Sequence, residues 1–522
     1  MNETTTPLEW RPRASPWLIA IAAMAATFME ALDTSIANVA LPHIAGSLSA
    51  SNDQSTWVLT SYLVANAIVL PATGWLSRRF GRKRFLLACI AVFTASSMLC
   101  GLATSLGMLI LARILQGAGG GALQPISQAV LLESFPPARR GVAMAIFGLG
   151  VVVAPVIGPT LGGWLTDNYS WRWIFYVNLP MGLLAILMAR AFVEDPPYLK
   201  NGTQTRIDYV GFALLALWLA TLQIVLDKGQ EADWFSATWI RGFSAVSIAA
   251  FVAFVVWELR EREPIVDLRV LADRNFATGT ALITVVGLVL YGSIAVLPLF
   301  LQTLLGYSAL ESGLAVSPRG VGAIFAMLVV GRLVGLLDTR LLLAFGFGLM
   351  AFSAEMLSHV DLVISMRNVA WPNVINGVAI GFLFVPLTVT AMGTLRKEQI
   401  GNATGLYNLT RNIGGSIGIS LVTTLLARRA QVHQAMLAAH VTPYDGAAQQ
   451  YLLTLQQRFA AGAGAVDGAR QALAALYAVV VQQATLLAFV DIFRFLAIAA
   501  LLCIPFVLLL KKTKPQGPVA IH

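Results

Sequence analysis

The chain has 522 residues, of which 57% are hydrophobic and only 12% are charged, and its formal net charge is +9. Soluble proteins carry about 25% charged residues, so this composition excludes an ordinary soluble domain. A net positive charge suggests nucleic-acid binding in a soluble protein. Here the Lys and Arg residues cluster in loops between apolar runs, where membrane topology explains them.

Apolar runs recur along the whole sequence, and each is long enough to cross about 30 Å of hydrocarbon. The runs do not alternate between apolar and polar residues, which excludes a transmembrane β-barrel. They predict an all-α polytopic membrane protein with fourteen transmembrane helices. The predicted spans are 17–40, 55–77, 85–104, 107–132, 142–165, 173–192, 209–226, 241–257, 276–303, 312–334, 341–358, 371–394, 402–426 and 487–510.

The first predicted span carries two acids, Glu30 and Asp33, which are three residues apart and share a helix face. Carboxylates inside hydrocarbon are costly, so both are candidates for function. Burial and mutual repulsion disfavour the charged form of these carboxyl groups, which would allow their protonation near neutral pH. At a rise of 1.5 Å per residue, Asp33 lies roughly 23 Å from the cytoplasmic end of its span.

The loop after the second span, residues 74–84, carries five basic residues in eleven. Lys and Arg near span ends resist translocation, so this loop is expected in the cytoplasm. Basic residues recur in alternate loops and at both ends of the chain, whereas 41–54, 105–106 and 304–311 contain no Lys or Arg. This pattern places both termini in the cytoplasm.

The fourth span runs in the opposite direction to the first, and Arg113 lies about 10 Å below its outer end. Asp33 and Arg113 therefore fall at similar depth, and a buried cation is the natural partner of a buried acid. We predict that Asp33 is the proton-coupling acid and that its protonation weakens the tie to Arg113, with Glu30 as the next candidate. The alternative is a static pair that only orients helices, with Glu30 lining a wet cavity or the substrate path.

A faint internal repeat divides the spans. Residues 331–340 end the tenth span much as 74–84 end the second, which suits two repeated halves. The prediction is an N-terminal six-helix bundle over 1–192, a linker with two extra transmembrane helices over 193–275, and a C-terminal six-helix bundle over 276–522.

The second bundle contains a predicted periplasmic loop, 427–486, that is far longer than any other connection. Its Gln- and Ala-rich stretches at 451–460 and 470–483 have helical spacing, and a loop of this length is usually functional or disordered. We expect a small helical element that meets a partner protein; a solvated hairpin without a partner is the alternative. Just beyond the loop, Asp491 and Arg494 are expected to form an i,i+3 pair.

Polar and aromatic side chains inside the spans are candidates for a substrate cavity. Arg411, in the thirteenth span, has two interpretations of equal weight: contact with an anionic substrate or a polar cavity, or a structural bond to helix carbonyls. For any other single residue, packing is the default. The proposed cavity residues are Tyr62, Asn66, Gln116, Gln124, Gln128, Tyr291, Asn376, Tyr407 and Arg411.

No Walker-type phosphate loop is present, so ATP is not expected as the direct energy source. None of the five histidines has a metal-binding spacing, and no metal or other cofactor is expected besides protons as the coupling ion. Cys89, Cys100 and Cys503 lie in or beside apolar spans without a CxxC spacing, so we interpret them as packing residues.

Four ordered motifs resemble those of the major facilitator superfamily. Residues 74–84 resemble its loop after the second span, Gly-x-x-x-Asp-Arg-x-Gly-Arg-Arg/Lys, except that Arg78 stands at the acidic position. In the family that acid helps to latch the cytoplasmic side, and two interpretations follow for this loop: a latch that lacks the acid, or a plain positive-inside anchor. Arg113, Gln116 and Gly117 resemble the fourth-span motif Arg-x-x-Gln-Gly.

Residues 148–163 resemble the fifth-span motif of the antiporter branch, and 32–42 resemble the first-span motif of fourteen-span drug:proton antiporters of the EmrB/QacA type. The segments 171–180, 306–320 and 408–418 are similar to corresponding segments of EmrB-like members. The resemblance assigns a conformational role to Gly74, Arg79, Gly81, Arg82, Gly158, Pro159, Gly162 and Gly163.

The resemblance implies a major facilitator fold and proton-driven export of lipophilic or amphipathic compounds across a bacterial inner membrane. It also implies a tripartite pump with an EmrA-like periplasmic adaptor and a TolC-like outer-membrane channel. No enzymatic activity is expected. The alternatives are a dedicated exporter of a single metabolite or fatty-acid-like compound, and a membrane scaffold or sensor that does not transport.

Overall fold

The computed structural model describes residues 12–136, 139–196, 208–442 and 444–511, and within these ranges the regular structure is helical, without strands. The basic positions Arg11, Lys200, Arg206, Lys512 and Lys514, which support the predicted topology, lie outside the described residues.

The long helices are numbered in chain order, and a helix broken by a short irregular turn keeps one number. They are α1 (Pro16–Ser47), α2 (Trp57–Phe80), α3 (Arg82–Gly101), α4 (Leu106–Gly120 continued by Leu123–Ser134), α5 (Arg140–Asn168), α6 (Trp173–Tyr176 continued by Asn178–Phe192), α7 (Tyr209–Lys228), α8 (Thr238–Arg260), α9 (Arg274–Thr303), α10 (Ala309–Val316 continued by Pro318–Leu333), α11 (Thr339–Leu357), α12 (Met366–Met392), α13 (Lys397–His440), α14 (Gly446–Ala463) and α15 (Ala465–Val507). Short helical turns cover Asn52–Ser55, Trp234–Ser236 and Leu268–Ala272.

Thirteen helices in the described part of the chain are long and apolar enough to cross a membrane. The predicted thirteenth span lies within α13, which is not among them because it carries many polar side chains. Several of these, including Asn402, Asn408 and Arg411, are buried inside the protein, so their polarity does not face lipid. With α13 the spanning helices number fourteen, and the predicted all-α polytopic fold is confirmed.

The last two spans differ from their predicted bounds because α13 has 44 residues and α15 has 43. At 1.5 Å per residue each is about 65 Å long, roughly twice the hydrocarbon thickness. Their extensions and α14, which packs on α15, form what we call the helical hairpin. Most of the predicted loop 427–486 is therefore helical. Gly464, at φ 82°, supplies the left-handed turn between α14 and α15.

The predicted pair between Asp491 and Arg494 is wrong. Asp491, on α15, instead binds two side chains of α13: its Oδ2 accepts from Arg429 Nε at 2.6 Å and lies 2.7 Å from His433 Nε2. An acid facing a neighbouring helix meets partners that sequence spacing on its own helix does not reveal. These contacts tie the two long helices together at the base of the hairpin.

Helices α7 and α8 pair with each other, and α7 also contacts α2 and α13. Aromatic packing joins the pair, since the Trp218 ring lies 4.6 Å from that of Phe251 and 5.8 Å from that of Phe254. The pair therefore lies beside helices of both chain halves through α7.

At one end of the molecule α2 and α13 pack backbone to backbone. A Cβ placed on Gly74 would lie 2.6 Å from the Asn402 Cα, so only glycine allows this approach. We call this end, which carries residues 78–84, the basic face, and the end that carries α14 the hairpin face. In this structure the two chain halves are in contact at the basic face.

Candidate functional site

Asp33 and Arg113 form a closed ion pair between α1 and α4. Arg113 Nη1 donates to Asp33 Oδ2 at 2.7 Å, and the two side chains are 0% and 1% exposed. The other carboxylate oxygen, Oδ1, accepts from Gln116 Nε2 at 2.8 Å and from Asn178 Nδ2 at 2.7 Å. The pairing predicted from matching depth is present, and the carboxylate is held by one cation and two amides.

Arg113 is fixed on several sides. Its Nε donates to the Val58 carbonyl at 3.1 Å, and its Nη1 also donates to Gln116 Oε1 at 2.7 Å. The Tyr62 ring lies 4.1 Å from the guanidinium carbon, a cation–π distance. Removing one partner of such a buried pair is costly because it strands the other charge.

Glu30 belongs to a different network, although it lies on the same helix as Asp33. Its Oε1 accepts from Asn66 Nδ2 at 3.2 Å and from Tyr62 Oη at 3.4 Å, and its Oε2 accepts from Gln124 Nε2 at 2.6 Å. The side chain is 6% exposed. Among the described residues no cation lies within ion-pair distance of Glu30, and its three hydrogen-bond donors are neutral side chains.

Two hydrogen bonds cross between α4, in the first half of the chain, and α13, in the second. Arg411 Nη2 donates to Gln124 Oε1, and Asn408 Nδ2 donates to Gln128 Oε1 at 2.6 Å. Because Gln124 also donates to Glu30, its amide links the acid of one half to the arginine of the other. We call Glu30, Gln124 and Arg411 the relay.

The other proposed cavity residues are placed as follows. Gln116 lies in the Asp33 network and not in the relay. Tyr407 is fully buried and its hydroxyl accepts from Thr388 Oγ1 at 3.4 Å. Asn376 is 3% exposed and its Oδ1 has no partner among the described residues. The Tyr291 ring packs against Gly415, since a Cβ placed on Gly415 would lie 2.6 Å from a carbon of that ring.

The basic-face motif contributes one buried ion pair. Arg82, which begins α3, pairs with Glu133 at the end of α4, and both side chains are 4% exposed. Gly81 adopts φ 81° between α2 and α3, a conformation that favours glycine, while Arg79 is exposed. The sequence interpretation missed Glu133, although an acid immediately after the expected end of the fourth span, residue 132, was a usable signal.

A second contact at the basic face was also missed. Asp267 N donates to Asn402 Oδ1 at 3.1 Å, and Asn402 Nδ2 donates to the Asp267 carbonyl at 2.9 Å. These bonds attach the connector after α8 to the start of α13. No sequence pattern pointed to this pair, because it depends on how α13 packs against the connector.

The fifth-span glycines lie against α1. A Cβ on Gly158 would lie 2.5 Å from Ser35 Oγ, and one on Gly162 would lie 3.1 Å from Ile36 Cγ2. Pro159 and Gly163 belong to the same helix. This close approach places α5 against the turn of α1 that follows Asp33. Displacement of either helix therefore requires the other to shift.

Comparison with known proteins gives a consistent result. A model of the Major Facilitator Superfamily matches residues 23–419. The chain is 40% identical over 433 residues to the multidrug export protein EmrB of Escherichia coli (strain K12), covering 83% of this chain and 84% of that protein. It is 39% identical over 493 residues to the fatty acid resistance protein FarB of Neisseria gonorrhoeae, covering 94% and 95%.

A more distant relative is the colistin resistance protein EmrB of Acinetobacter baumannii, 30% identical over 497 residues, covering 94% of this chain and 95% of that protein. Among solved structures, the human organic anion transporter MFSD10 aligns with a TM-score of 0.60 at 13% identity, covering 94% of this chain and 100% of that chain. At that identity the structural match supports the fold alone.

Proposed function

The chain belongs to the Major Facilitator Superfamily, in its EmrB/QacA-type branch, and from this membership and the two buried networks we propose that it exports lipophilic or amphipathic compounds in exchange for protons. The family consists of transporters, as the sequence predicted, and the fold is that of a multi-pass inner-membrane protein. EmrB of Escherichia coli is a multidrug export protein by name, which supports the proposed activity.

The observation that carries the proposal is the closed Asp33–Arg113 pair. A buried ion pair contributes little net stability over apolar packing, so a scaffold gains little from it. Protonation of such an acid, in contrast, leaves the buried arginine without its counter-charge. Proton binding is thereby coupled to a change of helix positions. A proton can shift the equilibrium between two states only if it binds them with different affinity, and the pair provides that difference.

We assign proton coupling to Asp33 first, with Arg113 as its partner and Glu30 as a second proton site. When Asp33 is charged, Arg113, Gln116 and Asn178 hold α1, α4 and α6 together. Protonation weakens all three contacts at once and frees α1 to move. Protonation of Glu30 would similarly weaken its bond to Gln124, and with it the relay between the halves.

Alternating access would then occur between the bundles over 1–192 and 276–522, with the 193–275 insertion beside them. The glycine contacts between α2 and α13 close the basic face in one state. The central polar residues are few and surrounded by apolar packing, which suits broad rather than sharp selectivity. Tyr62, Asn66, Gln124, Gln128, Tyr291, Asn376, Tyr407 and Arg411 would contribute to substrate contact.

We also propose that the basic face is cytoplasmic, so that both termini are cytoplasmic and the helical hairpin is periplasmic. The rule that Lys and Arg remain inside supports this orientation. The hairpin extends well beyond the hydrocarbon, since α13 and α15 are each about 65 Å long. It would meet an EmrA-like adaptor, which joins a TolC-like outer-membrane channel.

The proposal is tested by dye efflux from proteoliposomes under an imposed pH gradient. We expect ethidium to be exported by the wild-type protein and by Asp233→Asn, an exposed acid in the α7–α8 turn, and the export to be lost in Asp33→Asn. Efflux that survives in Asp33→Asn would move the proton site to Glu30. Gradient-independent efflux in the wild type would contradict proton coupling altogether.

A further inference from the structure

Two buried acids meet where α7 begins and α8 ends. Asp208 caps α7, and its Oδ1 accepts from Gly211 N at 2.7 Å and from Trp257 Nε1 at 2.9 Å. Glu258 lies in the last turn of α8, and its Oε2 accepts from Val266 N at 3.2 Å. The two acids are 9% and 1% exposed, so each carboxyl group uses one of its oxygens inside the protein.

The second oxygens of the two acids point towards each other. Asp208 Oδ2 and Glu258 Oε1 are buried and have no hydrogen-bond partner among the described residues. A Cβ placed on Gly211 would lie 2.2 Å from Asp208 Oδ2 and 2.6 Å from Glu258 Oε1. The two oxygens therefore converge on one point, which the missing side chain of Gly211 leaves open. A buried acceptor without a donor is costly, and here two such acceptors adjoin.

No cation offsets this pair of acids. Among the described residues neither Asp208 nor Glu258 has a Lys or Arg partner, and Glu261, which also acts on Glu258, is a third acid. Two carboxylates in one buried site do not both ionise readily, because like charges repel and both have left water. The other charged side chains of this region are exposed or face one another, and they are Arg78, Arg260, Arg262, Glu263, Asp267 and Arg269.

From this arrangement we infer that Asp208 and Glu258 bind one proton between them, at a site that belongs to neither network of α1. The proton resides on one of the two converging oxygens and is donated to the other. A single O–H···O bond thus supplies the donor that both acceptors lack. Glu258 keeps its Oε2 for Val266, and the connector after α8, residues 261–273, stays bound to the end of that helix.

The shared proton acts on the basic face through the connector. Asp267, which follows Val266, exchanges two hydrogen bonds with Asn402, and Asn402 lies where α2 and α13 meet at Gly74. The proton therefore supports the segment that is attached to this contact between the chain halves.

The direction of the pH effect follows from the two states of the connector. Loss of the proton leaves two carboxylates in one buried site, and Glu258 relieves their repulsion by turning to water, which breaks its bond to Val266. The bound connector holds the proton and the released connector does not. The connector is therefore held at low pH and released as the pH rises, by up to about tenfold per pH unit for one proton.

The test is thiol labelling of the purified full-length protein with a water-soluble maleimide. A cysteine in place of Val266, which is 1% exposed, is labelled only when the connector leaves α8. A cysteine in place of Arg262, an exposed connector residue, corrects for the faster reaction of any thiol at higher pH. We expect the labelling of Val266→Cys relative to Arg262→Cys to rise at least about tenfold between about pH 6 and about pH 10.

Two variants of Glu258, each combined with Val266→Cys, distinguish a shared proton from packing. Glu258→Gln keeps the shape of the acid, and its amide donates to Asp208 at every pH, so relative labelling should stay low and independent of pH. Glu258→Ala removes the acceptor of Val266 N, so relative labelling should be high at every pH. Asp233→Asn, which alters an exposed acid in the α7–α8 turn, is the control and should behave as the wild type.

Infrared spectroscopy measures the proton directly. The carbonyl stretch of a protonated carboxyl group should be weaker in Glu258→Gln than in the wild type at neutral pH, by the band of one group. Relative labelling that does not change with pH, the same pH dependence in Glu258→Gln, or an undiminished carboxyl band would each overturn the inference. None of these readouts measures transport, so the inference and the proposed function can fail separately.

Discussion

The Asp33–Arg113 pair predicts a specific pattern in a double-mutant cycle. Replacing Arg113 with Met leaves the Asp33 carboxylate buried with two amide donors and no cation. Because both side chains are 0–1% exposed, the relevant cost is that of a stranded buried charge, about 3–5 kcal/mol, and not the 0–1 kcal/mol of a surface pair. We expect Arg113→Met to lower the free energy of unfolding by that amount.

The double variant Asp33→Asn/Arg113→Met should recover much of this loss, because a neutral amide among amides and apolar atoms carries no stranded charge. Unfolding is measured by titration with SDS in mixed micelles, with single and double variants compared. We expect the double variant to be at least about 2 kcal/mol more stable than the sum of the single effects. Its proton-driven transport should nevertheless be absent.

Additive single effects would refute the reasoning, since they would mean that the two side chains do not interact energetically. A double variant that is stable and still exports substrate when a pH gradient is imposed would support the alternative interpretation, in which the pair is static and only orients helices. Asp33→Asn alone is the matched comparison for size, because asparagine keeps the shape of the acid and can still accept from Gln116 and Asn178.

Three further predictions concern the contacts between helices. Gly74→Ala puts a Cβ 2.6 Å from the Asn402 Cα, so it should slow transport and raise labelling of a cysteine introduced at the basic face, whereas Gly348→Ala, where no atom lies within 4 Å, should do neither. Glu133→Gln removes the carboxylate that pairs with Arg82, so it should reduce transport and lower the free energy of unfolding by up to about 3–5 kcal/mol, and normal thermal and SDS stability would contradict the buried pair. Asp491→Asn loosens α13 from α15, so limited proteolysis should cut the helical hairpin faster while span helices stay protected; an unchanged cleavage rate would mean that Arg429 and His433 do not hold the hairpin.

The sequence predicted features that depend on one helix at a time or on depth in the membrane. The fourteen spanning helices follow from apolar length, and the Asp33–Arg113 contact follows from matching depth on antiparallel spans. The lengths of α13 and α15 were underestimated because their extensions are rich in Ala and Gln, which form helix outside the membrane as readily as within it. Apolarity marks the edge of the hydrocarbon, not the end of the helix.

Contacts that depend on which faces of two helices meet could not be predicted. The relay joins Glu30, Gln124 and Arg411 across nearly four hundred positions of sequence, and helical phase alone does not say which face of α13 meets α4. Gln116 was predicted to line the cavity, and this stays a prediction, but its contacts with Asp33 and Arg113 were not foreseen. The same limit applies to Asp491, whose partners lie on the neighbouring helix and not one turn away.

The central claim is that Asp33 couples proton movement to export. The most direct measurement is proton movement driven by substrate, in proteoliposomes that contain a trapped pH-sensitive dye and start without a pH gradient. An imposed ethidium gradient should drive protons in the opposite direction in the wild-type protein, and no proton movement should accompany ethidium in Asp33→Asn. Equal proton movement in both proteins, or ethidium transport by the wild type without proton movement, would contradict the account.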